Sequence, residues 1–579
     1  MKKYYSLLSF LIPFCLLAQE GIVPFTSTIT PDLSAYGEAV SHPGQGEYQI
    51  YLDTDNGILD KPIILIDGFD PGDGRDIDGI YELLSYPGAM GTENLADFVR
   101  SQGFDVVIFN SPVYTRAADM VEVDGGADFI ERNAMLLVDL INTINAAKVG
   151  NEQNVIIGPS MGGLISRYAL NYMENNVLDH DTRLWLSFDA PHHGANVPLG
   201  LQHQFNYLAY GLDDNSVTQL QALVEAQLKS PAARQMLIDH FESHLENGSN
   251  VEFDVNIVEP VAHPWRTIFM NDMNSLTADG FPQDTRNVTM TNGSGIGSPY
   301  QDKNGDDILP GFNVIDETLD VAPLTTAEIE VNFTPSIAAS AVNPVRISKV
   351  QVELDLIIFP PTILYQSEAF AKAPSYTDGV DAAPGGLFDI GGLTEDLDLT
   401  GLTGDFVDAL TTDFFSFIPT VSALALESTN NEVDWYHDID LGPGDPPGGI
   451  ANGRSSNDTP FVNWYMPDDN EPHVDINAAN VAFALSEIIP ETLNLNSFEL
   501  SELRLERNPI TSDLVLLNTI QLNNASLEIV DLTGKTVLKM NTVNISNRTR
   551  IPVSLSSGLY ILNVRSRNNF NKRIKFVIR

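Results

Sequence analysis

The stretch Asn154-Val-Ile-Ile-Gly-Pro-Ser-Met-Gly-Gly163, followed by Leu164-Ile-Ser-Arg-Tyr-Ala-Leu170, decides the fold of this chain. Its first half contains a short apolar run that predicts a buried strand, and its second half starts a helical pattern of apolar residues. Ser160 therefore lies at the tip of a sharp turn between strand and helix. We expect glycine to be required at Gly158 and Gly162, because side chains there would collide across the turn.

Strands and helices alternate on both sides of this turn. Apolar runs predict strands at Pro62–Asp67, Phe104–Asn110 and Arg183–Asp189, and Phe129–Asn145 places apolar residues on one helical face. Such alternation predicts a parallel sheet covered by helices on both faces. In this setting a G-x-S-x-G turn indicates the nucleophile elbow of an α/β-hydrolase, with catalytic groups at the carboxyl ends of the strands. An ordinary turn of glycine and serine is the alternative.

The 579 residues are too many for one compact core, so more than one domain is expected. The alternation stops near residue 200, and residues 200–460 predict a large insertion forming a lid or cap, although Arg286–Thr291 fits the core sheet. A helix at Ala478–Ile489 would close a hydrolase domain spanning residues 19–490. Residues 491–497 predict a linker, and short alternating strands over residues 498–579 predict a small β-sandwich.

The net charge of -47 is unevenly spread. Residues 498–579 hold 12 Lys and Arg against 6 Asp and Glu, whereas the remainder holds 19 basic and 72 acidic residues. An acidic body of this kind should repel nucleic acid and anionic membranes. Nucleic acid is therefore excluded as an expected partner.

The N-terminus has the pattern of a secretory signal peptide, residues 1–18. Lys2 and Lys3 supply the positive end, an apolar stretch follows, and Ala18 is the small residue before the expected cut. The only cysteine, Cys15, lies inside this segment, so the mature chain would have no disulfide. No later segment is apolar enough to predict a membrane span.

A serine hydroxyl becomes a good nucleophile only when a base takes its proton, and a carboxylate usually orients that base. In α/β-hydrolases the chain order is serine, then acid, then histidine. His473 fits this order, because it follows the sheet elements in a polar loop just before the last helix. A surface histidine is the alternative. His192 and His193 come too early for the usual base and are expected to line the pocket or hold a loop.

Asp189 is the predicted acid, because it ends the strand after the elbow helix and faces the catalytic edge. A structural turn cap is the other interpretation. Four more carboxylates stay open as alternatives: Asp302, Asp378, Asp381 and Asp413. The predicted oxyanion hole consists of the backbone N–H groups of Met161 and of Phe69, in the loop after the first predicted strand.

The segment from Asp302 to Asp306 resembles the first half of a calcium loop, with oxygen ligands at alternate positions. The bidentate glutamate expected at the twelfth position is absent, since residues 311–313 are Gly-Phe-Asn. We therefore weigh a structural calcium held by Asp302, Asn304 and Asp306 against an acidic surface turn. No cofactor is expected to be required.

Three segments resemble known hydrolase families. Ser160–Leu170 closely resembles the elbow helix of triacylglycerol lipases and of GPI-inositol-deacylase-like esterases, with Pro159 where those families commonly have histidine. Asp189-Ala-Pro-His-His-Gly194 resembles the Gly-Thr-Pro-His-x-Gly of lipases, and in pancreatic-type lipases the acid ends this same strand. Phe417–Leu424 is similar to a lipase and acyltransferase segment whose acid position holds Phe415 here.

The tail resembles the type IX secretion sorting domains of Bacteroidetes. The resemblance is carried by Asn508-Pro509, Leu527–Lys535, Leu555–Tyr560 and the basic run Lys572–Lys575. It implies recognition by the type IX machinery and export across the outer membrane, followed by surface anchoring or release.

Together these patterns predict a secreted serine lipase or esterase that cleaves carboxylic esters through an acyl-enzyme on Ser160. The substrate would be an ester or lipid. A peptidase, acyltransferase or polyester depolymerase of the same fold is the runner-up among enzymes. A non-catalytic surface adhesion or binding protein on the same scaffold is the alternative from another class.

Overall fold

The structure is a computed structural model, and it divides into two compact units, Met1–Ile488 and Ile489–Arg579. The described residues of the first unit are 21–88, 91–355, 360–391, 402–426, 432–439, 441 and 459–488. Those of the second unit are 489, 503–505, 507, 510, 513–517, 522–531, 535–546, 548–566 and 570–579. The predicted signal peptide and the predicted linker lie outside the described residues.

The first unit contains eighteen strands among its described residues. They are β1 Val23–Thr26, β2 Gln45–Tyr51, β3 Pro62–Ile66, β4 Ser85–Gly88, β5 Gly91–Asn94, β6 Asp105–Asn110, β7 Val113–Thr115, β8 Glu122–Asp124, β9 Asn154–Pro159, β10 Thr182–Phe188, β11 Arg286–Met290, β12 Asn313–Ala322, β13 Thr325–Asn332, β14 Val345–Leu354, β15 Thr362–Ala371, β16 Gly385–Asp389, β17 Phe414–Pro419 and β18 Asn463–Tyr465.

Twelve α-helices accompany these strands in the described part of the unit. They are α1 Ile77–Glu82, α2 Leu95–Ser101, α3 Ile130–Ala147, α4 Met161–Asn175, α5 Leu199–Tyr210, α6 Thr218–Leu223, α7 Pro231–Met236, α8 Pro264–Ser275, α9 Ile337–Ser340, α10 Leu402–Asp408, α11 Thr420–Ala423 and α12 Ala478–Ile488. Among the described residues, no helix has both the length and the apolar character to cross a membrane.

The core is an eight-stranded sheet in the order β1-β2-β6-β3-β9-β10-β11-β18. From β6 to β18 every neighbouring pair is parallel, whereas β1 pairs antiparallel with β2 and β2 with β6. The predicted parallel sheet is thus confirmed in its centre and corrected at one edge. The parallel strands are joined by helices that cover the sheet, which is the α/β-hydrolase arrangement.

Residues alternate between the two faces of the central strands. Ile64, Ile66, Val107, Ile156 and Trp185 belong to the main apolar core, together with residues of α3 and α4. Their neighbours on the same strands point the other way, toward the layer formed by α1, α2 and α12. The space between these helices and the sheet is open, and it contains the candidate site.

The predicted insertion consists of two segments separated by the core strand β11. The first segment carries α5 to α8. The second, between β11 and β18, carries a four-stranded antiparallel sheet in the order β12-β13-β14-β15, which contacts α5, and a two-stranded ribbon of β16 and β17. The sheet of β12 to β15 is therefore separate from the core sheet, and residues 378–410 contribute β16 and α10 among the described residues.

The second unit contains seven strands in its described part: β19 Arg504–Leu505, β20 Asp513–Leu517, β21 Leu522–Asp531, β22 Thr536–Ile545, β23 Arg548–Pro552, β24 Gly558–Ser566 and β25 Phe570–Ile578. They form a β19-β20-β23 sheet and a β22-β21-β24-β25 sheet, both antiparallel. Leu514 and Leu516 of the first sheet share one core with Leu527, Ile529 and Leu562 of the second. The predicted small β-sandwich is confirmed.

Candidate active site

Ser160 occupies the turn between β9 and α4 in a strained backbone conformation. Its φ is 52° and its ψ is -129°, a region that non-glycine residues rarely adopt. Its N–H donates to the Phe188 carbonyl at 2.8 Å, which ties the turn to the end of β10. The hydroxyl is thereby held at the carboxyl edge of the sheet.

Glycines allow the close approaches that this turn requires. A Cβ on Gly158 would lie 2.5 Å from the Gly162 carbonyl oxygen, and one on Gly162 would lie 2.9 Å from the Asp67 carbonyl oxygen. A Cβ on Gly163 would lie 2.3 Å from Ala190 Cβ, a constraint that the sequence reasoning missed. Such distances are far inside van der Waals contact, so any side chain would displace the turn.

His473 lies directly against the serine. Its Nε2 is 2.8 Å from Ser160 Oγ, and its Nδ1 is 2.7 Å from Asp189 Oδ2. The ring also meets the edge of Phe417 at a centroid distance of 4.9 Å. With Nδ1–H donating to the carboxylate, Nε2 is left free to accept the serine proton.

Asp189 is fully buried at the end of β10, the strand next to β9. The pairing of Phe188 with Pro159 brings the residues that follow each strand to the same edge. Its other oxygen, Oδ1, accepts from Thr291 Oγ1 at 3.0 Å and from the Asn292 N–H at 3.1 Å. These bonds fix the carboxylate with one oxygen aimed at the imidazole.

The loop that carries His473 is attached to two other elements. The His473 N–H donates to the Leu387 carbonyl in β16 at 2.7 Å, and the Leu387 N–H donates to the Glu471 carbonyl at 2.9 Å. Asn292 Nδ2, after β11, donates to Glu471 Oε2 at 3.0 Å. The insertion and the core sheet therefore position this loop jointly.

Gly386 in β16 lets the insertion pass beside the acid. A Cβ at this position would lie 1.9 Å from Asp189 Oδ2. No pattern in the sequence marked Gly386, because its requirement comes from a chain segment nearly two hundred residues away. It is one of the site residues that sequence reasoning missed, together with Thr291 and Asn292.

The other candidate acids have partners elsewhere. Asp381 is buried and accepts from Thr334 and Asn196, and burial raises its pKa to about 6. The remaining three are engaged as follows: Asp302 with its own turn, Asp378 with the Ile337 N–H and Asp413 with Lys303. Phe415, at the position where related lipase segments carry an acid, is a core residue. Asp189 is thus the candidate that the structure brings to His473.

The two predicted oxyanion donors flank the serine. Met161 is the first residue of α4, so its N–H has no partner within the helix. The Phe69 N–H makes no hydrogen bond to the described residues, and Phe69 lies beside Gly68, whose Cβ position is 3.2 Å from Ser160 Cβ. The catalytic use of these groups stays a prediction.

An ion pair shapes the oxyanion loop. Arg75 Nη2 donates to the Phe69 carbonyl at 2.9 Å and lies 3.2 Å from Asp67 Oδ1. Burial raises the pKa of Asp67 to about 6, and the opposite charge of Arg75 counteracts part of that rise. Arg75 therefore anchors this loop through the Phe69 carbonyl.

Ser160 and His473 line a cavity of about 640 Å³. The cavity extends from the serine into the layer between the sheet and α1, α2 and α12. Its walls are mainly apolar and include Ile63, Leu65, Ile80, Val99, Val106, Leu186, Phe388, Phe414, Phe417, Val481 and Ala484. This apolar lining suits an aliphatic or aromatic group of a ligand.

The predicted calcium loop forms a hydrogen-bonded turn. Asp302 Oδ1 accepts the N–H groups of Asn304 and Asp306 at 2.8 and 2.9 Å, and these bonds lower the pKa of Asp302. Asn304 and Asp306 are exposed. The turn is accounted for by its own hydrogen bonds, and calcium binding there stays a prediction.

A different group, Glu174, His180 and Asp284, brings ligand-type atoms within 4.8 Å of one another in the described part of the chain. His180 Nδ1 accepts the Thr182 N–H at 3.1 Å, which puts the imidazole proton on Nε2, facing Glu174. Glu174 also accepts the N–H groups of Gln283 and Asp284. Hydrogen bonding explains this cluster without a metal.

His192 and His193 lie away from Ser160. His192 is fully buried among Trp185, Phe281 and Phe461, with Nε2 at 2.9 Å from Ser187 Oγ. The His193 ring pairs with the Leu426 carbonyl. Both hold the loop after β10 and line a second cavity, not the one that contains the serine.

Residues 508–579 match the family of secretion system C-terminal sorting domains. The match falls on the second unit and agrees with the type IX sorting domain that the tail resembles. Such a domain directs the chain to export, to the cell surface or beyond. Among curated proteins, none matches the sequence.

Parts of the chain are similar to solved structures of a lipase from Bacillus licheniformis, an esterase from Pyrobaculum calidifontis and an esterase from Rhizomucor miehei. The identities are 13%, 9% and 13%, and the TM-scores are 0.24, 0.22 and 0.23. The overlaps cover 44%, 47% and 47% of this chain and 74%, 66% and 65% of those chains. The α/β-hydrolase fold of this chain is defined by its own sheet order and connections.

Proposed function

We propose that this protein is a secreted serine hydrolase, a lipase or esterase, that cleaves carboxylic esters through an acyl-enzyme. The observation that carries the proposal is the chain of two hydrogen bonds from Asp189 through His473 to Ser160. A strained serine, a base within 2.8 Å and a buried carboxylate orienting that base are the parts that nucleophilic catalysis needs. The sorting domain supports action outside the cell.

The proposed reaction has two halves. Ser160 Oγ attacks the ester carbonyl carbon while His473 Nε2 takes its proton, and the carbonyl oxygen becomes an oxyanion facing the N–H groups of Met161 and Phe69. The C–O bond to the alcohol then breaks, and His473 returns the proton to the departing alkoxide. In the second half a water repeats this sequence on the acyl-enzyme, releasing the carboxylic acid and regenerating the serine.

The cavity supports an ester with an apolar acyl group. Its walls offer aliphatic and phenylalanine side chains, and its depth runs along the face of the central strands. Burying each additional methylene stabilises the complex by about 0.8 kcal/mol. We therefore propose medium or long acyl chains in preference to acetate.

The proposal is tested by labelling the purified protein with a fluorophosphonate and assaying p-nitrophenyl butyrate and palmitate. Ser160→Ala should abolish labelling and lower kcat/KM by at least about 10⁴-fold, because the nucleophile is lost. Ser275→Ala, which removes an exposed serine at the end of α8, is the matched control and should change neither readout.

A folded wild type that neither labels nor turns over either ester would sink the proposal. In that case the cavity would serve ligand binding on a non-catalytic scaffold. Labelling that persists in Ser160→Ala would assign the nucleophile to another residue.

A further inference from the structure

A second cavity, of about 1120 Å³, lies elsewhere in the first unit. Its walls come from α4, α8, the loop after β10 and residues 372–381 of the insertion. None of its described lining residues also lines the cavity that contains Ser160. It is therefore a separate space in the protein, and the ester chemistry proposed above makes no use of it.

Arg167 of α4 reaches this cavity as a buried cation. It is only 2% exposed, and its guanidinium carbon lies 3.4 Å from the centroid of the Phe281 ring. Its nitrogens donate to the Gly280 carbonyl and to Asn274 Oδ1. No carboxylate of the described residues lies within ion-pair distance of it, and burial lowers its pKa to about 9, although the more distant charge of Asp279 counteracts part of that fall.

Arg266 of α8 lies at the same cavity with even fewer partners. One nitrogen, Nη2, donates to the His193 carbonyl, whereas the buried Nε has no partner among the described residues. Burial lowers the pKa of Arg266 to about 10, with no carboxylate raising it. Burial, with a smaller contribution from the two arginines, holds the pKa of His193 down, at about 4, and both arginines line the same cavity as His193.

The carboxylates that line the cavity accept hydrogen bonds from groups other than the two arginines. Asp239 pairs with His244, Asp279 accepts the Phe281 N–H, Asp378 accepts the Ile337 N–H and Asp381 accepts from Thr334 and Asn196. In a body with 72 acidic and 19 basic residues, it is unexpected that one cavity holds a buried arginine with no ion-paired carboxylate and a half-buried arginine whose Nε has no described partner. A buried charge without an ion-pair partner destabilises a fold, so we expect another group to pair with Arg167.

We infer that this second cavity binds a small organic anion whose carboxylate or phosphate group lies between Arg167 and Arg266. A guanidinium matches both groups, since it donates two parallel hydrogen bonds to adjacent oxygens. Lys372 also lines the cavity and forms no ion pair with the described residues. The aromatic walls at Trp435 and Tyr376 suit an apolar part of the same ligand.

The test compares thermal unfolding of the wild type and Arg266→Met in matched ionic strength, with chloride alone, with inorganic phosphate and with benzoate. The wild type should be stabilised by phosphate or by benzoate in a saturable way, and which one acts identifies the anionic group. Arg266→Met should melt higher than the wild type in chloride, because a positive group whose buried Nε has no described partner is removed. Its half-saturating anion concentration should rise at least about tenfold, as for loss of a charge-assisted hydrogen bond.

Lys303→Met, which removes a half-exposed cation paired with Asp413, is the matched control and should leave anion stabilisation unchanged. The inference is overturned if neither anion stabilises the wild type beyond chloride, or if both variants respond as the wild type does. It is also overturned if Arg266→Met melts lower in chloride, because Arg266 would then be a structural residue bonded to the His193 carbonyl. None of these outcomes depends on esterase activity.

Discussion

Two residues of the candidate site, Ser160 and Asp189, adopt positive φ angles of 52° and 46°. Each such conformation of a non-glycine residue costs about 1–3 kcal/mol. The cost is offset by the ends of neighbouring strands, because Ser160 N–H bonds to Phe188 and Asp189 N–H bonds to Met290. Backbone strain therefore occurs where it aims a hydroxyl and a carboxylate at one imidazole.

At this scale we predict that Asp189→Asn lowers kcat by about 10³–10⁴-fold with a small change in KM. The amide keeps an oxygen for Thr291 and Asn292, but it presents N–H to the imidazole and favours the wrong tautomer. Ester hydrolysis under saturating substrate measures the effect.

Asp378→Asn is the matched control, because Asp378 was also a candidate acid and instead accepts the Ile337 N–H. Its kcat should stay within about twofold of the wild type. Equal losses in both variants would contradict the assignment of the acid to Asp189.

At the scale of elements, the two faces of the sheet are filled differently. On one face α4 packs against β3, β9 and β10, and its side chains complete a solid core. On the other face α1 and α2 contact β6 while α12 contacts β10, so the middle strands β3 and β9 are left facing the cavity. The spacing of these three helices therefore sets the size of the cavity in which we propose that an acyl group binds.

We predict that Ala484→Phe reduces the length of acyl chain that the cavity can hold. Ala484 is a buried residue of α12 at the cavity wall, so a phenyl ring there would occupy space that a long acyl chain needs. Each methylene excluded should cost about fourfold in kcat/KM, which lowers palmitate hydrolysis at least about tenfold and spares butyrate.

Ala482→Phe places the same ring on the exposed side of α12 and should leave the chain-length profile unchanged. A parallel loss on both esters in Ala484→Phe would indicate damage to the fold rather than a filled cavity. An unchanged profile would show that acyl chains lie elsewhere.

At the scale of the whole molecule, the candidate active site and the sorting domain lie in different units. The candidate triad, the predicted oxyanion donors and the cavity belong to the first unit, and the sorting domain has an apolar core of its own. This division is consistent with secretion machinery recognising one unit while the other carries the proposed activity.

We predict that deleting residues 490–579 leaves kcat/KM of the purified protein within about twofold of the full chain and abolishes its appearance outside the cell. Enzyme assays and fractionation of the producing bacterium measure the two effects. A loss of activity with retained export would contradict the proposed division. Full-length Ser160→Ala, which should be exported but inactive, is the complementary control.

Much of the core sheet was predictable because β3, β6, β9 and β10 are continuous apolar runs, and α3 and α4 have a clear helical period. The short strand β18 and the edge strands β1 and β2 were missed. Such strands carry a weak pattern, since their position depends on pairing with β11 and β6. The ribbon of β16 and β17 was missed for the same reason.

The sequence by itself determined the strand, turn and helix around Ser160, because all three are encoded within about seventeen neighbouring residues, and it predicted the chain order of the candidate site residues. Only the tertiary structure decided which carboxylate meets the base. His473 lies 313 positions from Ser160 and 284 from Asp189, so their contact depends on strand order and on a loop held by β16. The cavities were likewise a tertiary outcome, because a space between elements has no local signature in the chain.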